Sequence, residues 1–306
     1  MKKLMYLISA VAGVVGFSTA ANADISVSGS GGIAVVNDGA ASDNAGYNSA
    51  GVSFALSTTT SNGMGISMGM GITDSSANST SSATGGGAVT FTTGGATIVV
   101  GEVDTVGTVG GVGGVNSDWV DLATVAGTAS TDIAVTSGDG FTLSTAMGGA
   151  TLTVGYVADT TQNGEYLLTG STDTAAGASI SMPMGGMTAT VGFANADTAT
   201  ESETHVGGSV AIAAGGGTLT VGMAQASLNA GDATSMGATY AMSLDADTSL
   251  SVGYNNTKDA AANSTTTELS LSRALGGGAA VFLDVENVSG DGTAGTAFAI
   301  GSTFSF

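Results

Sequence analysis

The chain has 306 residues, of which 51 are Gly, one is Pro and none is Cys; 24 are acidic and only 4 basic, a formal charge of −20. Charged residues make up 9 % of the chain, against roughly 25 % in a typical soluble domain. So acidic a chain repels phosphate and argues against nucleic acid as a partner. So small a share of large side chains argues against a packed soluble core of this length, and without Cys no disulfide can substitute for one.

Residues 1–23 read as a secretory signal. Lys2 and Lys3 give a basic start, and Leu4 to Phe17 is an apolar run, shorter than the roughly 20 residues of a spanning helix. Ala21-Asn22-Ala23 is an A-x-A cleavage site. Cleavage there leaves residues 24–306 as the mature domain and takes the charge to −22, because Lys258 and Arg273 are then the only basic residues.

The mature chain opens with one alternating run, "DISVSGSGGIAVV". Seven hairpins follow. Val52, Phe54 and Leu56 alternate, Asn62-Gly63 turns the chain, and Met64 to Ile72 alternate again. Later pairs turn at Gly94-Gly95, Gly148-Gly149, Gly185-Gly186, Gly215 to Gly217, Asp245 to Asp247 and Gly276 to Gly278. A last unpaired run, "TAFAIGSTFSF", ends on Phe306. The pattern predicts about sixteen strands, with short turns after the even-numbered ones and long Asp/Asn/Ser/Thr-rich segments after the odd-numbered ones.

Period-two alternation over about 9–11 residues is the signature of a tilted strand crossing a bilayer. Inside lipid a sheet must close on itself, because every backbone N–H and C=O needs a partner. The predicted fold is therefore all-β, a transmembrane antiparallel β-barrel with short periplasmic turns and long extracellular loops. Phe54, Tyr156, Phe193, Tyr254, Phe304 and Phe306 lie towards strand ends, where interfacial aromatics belong. Parity also assigns the lumen. Leu269 and Leu271 face lipid, so Glu268 faces in; Val281, Leu283 and Val285 face lipid, so Asp284 and Glu286 face in. Arg273 shares the lipid-facing parity near a turn and can snorkel; Lys258 is expected in a long loop.

Signal peptide, strand count, loop order and terminal Phe306 together resemble a general porin of the Gram-negative outer membrane, closest in style to the alphaproteobacterial type. The resemblance spans the whole mature chain. It implies a homotrimer in outer-membrane lipid that passes small hydrophilic solutes and ions. It also implies a third long loop folded into the pore, and a C-terminal aromatic signal, here Phe304 and Phe306, read by the barrel-assembly machinery. The third loop corresponds to about 102–137. It carries Glu102, Asp104, Asp118, Asp121 and Asp132, with Trp119 as the chain's only Trp. In the lumen these carboxylates form a cation-attracting constriction, and Trp119 either anchors the loop against the barrel wall or stacks on solutes, anchoring being the better reading. Familiar porins oppose that loop with an Arg cluster on the wall; with one Arg and one Lys in the mature chain, no such cluster is possible here.

The remaining signals are weak. Gly65-Ile66-Ser67-Met68-Gly69 fits G-x-S-x-G, but a nucleophile elbow needs a strand running into a helix, and these residues sit inside one alternating run. His205 is the only His, so neither a transition-metal site nor a Ser/His/acid set is supported, and it is expected in a solvated loop. No cofactor is expected. Asp38/Asp43 or Asp197/Glu201/Glu203 could hold structural Ca²⁺ between carboxylates and carbonyls, although no loop-spaced motif marks them. The reading is a passive, cation-favouring diffusion channel and not an enzyme. A secreted acidic β-solenoid or adhesin is the alternative; it would show a fixed short repeat rather than hairpins with variable loops.

Overall fold

The computed structural model describes residues 23–37, 44–75, 82–84, 87–104, 137–158, 174–197, 202–228, 231–259, 262–291 and 294–306. These form one continuous antiparallel sheet of seventeen strand segments, with no helix among the described residues. β1 (Ala23–Asn37), β2 (Asn44–Thr59) and β3 (Gly65–Ser75) open it. β4 (Ser82–Thr84) and β5 (Ala88–Thr93) both pair with β3 and are two lengths of one strand. Sixteen strands therefore go round, the number the alternation predicts. β6 (Ala96–Asp104) and β7 (Ser137–Met147) flank the longest connection. They are followed by β8 (Ala150–Ala158), β9 (Thr174–Met184), β10 (Met187–Asp197) and β11 (Ser202–Ala214). β12 (Gly217–Leu228), β13 (Gly231–Ser243), β14 (Thr248–Lys258) and β15 (Asn263–Gly276) continue to β16 (Ala279–Gly290) and β17 (Gly295–Ser305).

The sheet closes because β17 pairs with β16 on one edge and with β1 on the other. At the seam Gly29 N–H donates to Phe306 O (2.9 Å) and Phe306 N–H donates to Gly29 O (3.0 Å). Among the described residues every strand except the three-residue β4 is paired on both edges, as a sheet in hydrocarbon requires. Each strand pairs antiparallel with its sequence neighbour. That is hairpin topology, and it rules out the solenoid alternative, whose coils stack in a repeat.

All seven short turns fall where the sequence places them. Gly148 and Gly149 show why Gly-Gly serves there: their φ values are +58° and +94°, and a two-residue turn of this hand needs positive φ at both positions. The seven short turns share one rim; the connections at the other rim run from two residues, 229–230, to the thirty-two of 105–136, so the long segments expected after every odd-numbered strand are found only in part. G-x-S-x-G, residues 65–69, lies inside β3 with no helix after it.

The two faces differ in kind. Outward positions carry the exposed large apolar side chains, among them Ile33, Val35, Met68, Met70, Val191, Val206, Met223, Met236 and Ile300. The six aromatics expected at the interfaces all have outward parity. Most inward positions are small or hydroxylic. Thr153 Oγ1 donates to Ser144 Oγ (3.3 Å) and Thr190 Oγ1 to Ser181 Oγ (3.1 Å) across neighbouring strands of the inner wall. Two small apolar clusters interrupt this lining: Val103, Val157, Ala175, Ala194 and Ala196, and, at the seam, Ala34, Val36, Ala297 and Ala299 with Phe282.

This division makes a direct prediction. Val221 faces out and Thr220, its neighbour on β12, faces in. Val221→Lys should lower the free energy of folding into liposomes by about 2–4 kcal/mol, whereas Thr220→Lys should fold nearly as well as the parent. Urea titration of vesicle-inserted protein measures both; equal losses would mean that the faces are misassigned.

Candidate functional site: the inner wall of the barrel

Function in such a structure resides in what points inward. On β15 and β16 the sheet brings together the three carboxylates that parity assigns to the lumen. Glu268 lies directly opposite Glu286, and Asp284 lies opposite Ser270, one inward position further along. Asp284 and Glu286 are buried, at 4 % and 6 % exposure. Directly paired residues have Cβ atoms about 5 Å apart. The two carboxyl groups therefore share one stretch of the inner wall, with Asp284 beside them.

Around the wall, β11 contributes Glu203 and His205. His205 Nε2 and Glu203 Oε2 are 3.2 Å apart and both residues are buried. Their cross-strand neighbours are Ala196, Ala194 and Ala226, whose small side chains leave room for the imidazole. This corrects the expectation of a solvated loop: β11 begins at Ser202, before its apolar alternation starts, and so carries His205 on the inward face. The signal was present, since Glu203 and His205 share parity with inward Ser209.

Basic groups point the other way. Lys258 is the last residue of β14, with outward parity and an exposed side chain, not a loop residue as expected; the strand runs on through Asn256 beyond its last apolar position. Arg273 faces out as expected. It donates to Thr248 Oγ1 (3.1 Å) and lies 3.6 Å from Asp245 in the adjacent short turn. The Asp247 N–H, donating to Asp245 Oδ1 at 2.8 Å, holds that carboxyl below the usual range, and Thr248 and Arg273 lower it further. Among the described strand residues, therefore, every inward formal charge is a carboxylate.

The constriction residues divide. Asp118, Trp119, Asp121 and Asp132 lie outside the described residues. Asp104 is the last residue of β6, opposite Ser137. Glu102 belongs to β6 rather than to a loop. It shares outward parity with Ile98 and Val100, is exposed, and faces Asp139 across the β6–β7 pair. Its register excludes it from the lumenal set, because inward Val103 takes the next position. Asp38, Asp43 and Glu201 lie outside the described residues. Asp197 has outward parity and accepts from Ser202 Oγ (2.6 Å), while Glu203 faces in, so these two do not converge on one ion. Phe304 and Phe306 sit at the seam on the outer face, at the short-turn rim.

Comparisons agree with this architecture. The anion-selective porin of Comamonas acidovorans superposes with a TM-score of 0.65 at 12 % identity, over 93 % of this chain and 100 % of that one. A variant of the Rh. blastica porin gives 0.63 at 17 % identity, over 92 % and 100 %. OmpT of Vibrio cholerae, described in its trimer form, gives 0.70 at 12 % identity, over 93 % and 99 %. No curated protein matches the sequence. The family profile described as Gram-negative porin matches residues 9–293. A closed sixteen-stranded barrel, a lipid-facing outer surface and that family-wide match lead to one conclusion: the chain belongs to the Gram-negative porin family and is an outer-membrane porin.

Proposed function

We propose that this porin is a passive diffusion channel that favours cations, and that it works as a homotrimer. The observation that carries the selectivity is the sign of the inner wall. Glu203, Glu268, Asp284 and Glu286 face in, while Lys258 and Arg273 face out. A lumen lined by one sign of charge, bounded by low-dielectric walls, concentrates counter-ions and repels co-ions. The same fold serves a porin described as anion-selective, so selectivity must be set by inward side chains rather than by the barrel.

The constriction in this reading is the segment between β6 and β7, folded inward, with Asp118, Asp121 and Asp132 adding charge and Trp119 holding the loop to the wall. Its support is length: it is the longest connection in the chain, and a connection this long in a compact fold is usually functional. No transverse field acts on dipolar solutes, because no inward cation opposes the acids. Transport requires no catalytic group and no cofactor. Residues 1–23 direct export, and Phe304 with Phe306 present the chain to the assembly machinery. Trimerisation is supported by OmpT of Vibrio cholerae, which is described in a trimer form.

In planar bilayers under a KCl gradient the reversal potential should have the sign of potassium preference; chloride preference would overturn the proposal. Glu268→Gln with Glu286→Gln should lower the potassium-to-chloride permeability ratio by about twofold at 0.1 M salt. The difference should largely vanish at 1 M, where the screening length has shrunk from about 10 Å to about 3 Å. Asp118→Asn, Asp121→Asn and Asp132→Asn together should lower the ratio further. A ratio unchanged by those three would place the loop outside the pore while leaving the wall carboxylates in force.

A further inference from the structure

The seam that closes the barrel joins strands with no turn between them, so something other than a hairpin must set its register. A one-residue slip is forbidden, because it would turn every side chain of β17 to the wrong face. A two-residue slip keeps all the faces and the hydrogen-bonding pattern. Alternation alone cannot distinguish the native seam from such a slip.

The outer face of the seam carries an asymmetric feature. Gly29 lies opposite Phe306 and Gly31 opposite Phe304. A Cβ on Gly29 would fall within the ring of Phe306, and one on Gly31 would lie 2.6 Å from Phe304 Cζ and 2.8 Å from its Cε2. Each ring thus lies over a glycine, occupying the space a side chain of β1 would need. On β1 the flanking outward residues are Val27 and Ile33, both β-branched. Sliding β17 two residues one way puts Phe304 on Gly29 but Phe306 on Val27. Sliding it the other way puts Phe306 on Gly31 but Phe304 on Ile33. Only the observed register seats both rings on glycine.

We propose that the Gly29/Gly31 hollows and the Phe304/Phe306 rings form a register lock that fixes where the barrel closes. Stagger, strand tilt and barrel size are geometrically linked, so the lock also fixes the width of the pore. This gives the two aromatics a role inside the folded channel, separate from any signal read before folding, and it assigns a role to two glycines that no alternation pattern marks. The inner face of the seam, Ala34, Val36, Ala297 and Ala299 with Phe282, packs behind it.

The chain contains no Cys, so engineered pairs can report the register directly. Val36 lies opposite Ala299; a slip that moves Phe304 onto Gly29 would bring Ala297 there instead. In the otherwise native chain, Val36→Cys with Ala299→Cys should form a disulfide and Val36→Cys with Ala297→Cys should not. Moving the hollows, by Val27→Gly with Gly31→Val, should reverse that preference. If the moved-hollow chain still links 36 to 299, the lock is refuted. Should that chain fail to fold, melting in detergent decides. Gly31→Ala should lower the midpoint by about 2–4 °C with Phe304 present, and by nothing in a Phe304→Ala background. Gly46→Ala on β2, where a Cβ meets nothing within 4 Å, should cost nothing in either. An equal loss from Gly31→Ala in both backgrounds would overturn the proposal.

Discussion

One constraint organises the molecule: hydrocarbon offers no partner to a peptide N–H or C=O. A sheet obeys it only by having no edge, and β17 therefore returns to β1. Antiparallel strands joined in sequence close evenly only when their number is even. Once the backbone satisfies itself through the sheet, packing is relieved of the task it has in a soluble domain. That is why a chain with 51 glycines, no cysteine and few large side chains can hold a single architecture. Its interior clusters are built from Ala and Val.

The same constraint frees the inner wall. An outward residue has to suit lipid, and a charge there costs several kcal/mol at mid-depth. An inward residue meets no such demand, so its identity is available for electrostatics. Glu268, Asp284 and Glu286 can stand side by side on β15 and β16 because they face away from lipid. In a soluble core such a group would be strongly destabilising. The placement of Arg273 follows the same logic from the other side: it faces outward only where a turn is near, against Asp245 and Thr248.

How far the sequence reveals the structure follows from where lipid touches it. Alternation is strong wherever one face meets acyl chains, so turns, strand count and the three wall carboxylates are legible there. Towards the long-loop rim outward positions become polar, as with Thr204, Asn256 and Lys258, and the period-two signal fades although the strand continues. His205, Lys258 and Glu102 all lie in these extensions, and all three look like loop residues to a reading that ends strands with the last apolar side chain. Parity carried outward from the apolar run would have placed each of them. Between β4 and β5 the sequence has Gly85-Gly86-Gly87, a run that signals an interrupted strand, whereas Asp118, Trp119, Asp121 and Asp132 lie where no alternation guides a reading.

Periodic strands create a second difficulty, which is register. A strand of repeated small residues fits its neighbour almost equally well two places along. The seven hairpins escape this because their short turns fix both partners at once. Pairs joined at the opposite rim carry further marks, and asparagines supply several of them. Asn195 Nδ2 donates across β10–β11 to Glu203 O (2.8 Å). Asn256 Nδ2 reaches across β14–β15 to Asn263 Oδ1, Ser264 O and Thr265 Oγ1. Asn287 Nδ2 reaches across β16–β17 to Thr296 Oγ1 (2.7 Å). A two-residue slip would carry each amide away from these partners. The seam has no connection at all, and there the marks are the largest available: two aromatic rings on two glycines. The Asn amides thus mark pairings at the rim opposite the seven short turns, and the two aromatics mark the seam, where no connection of any length joins the strands.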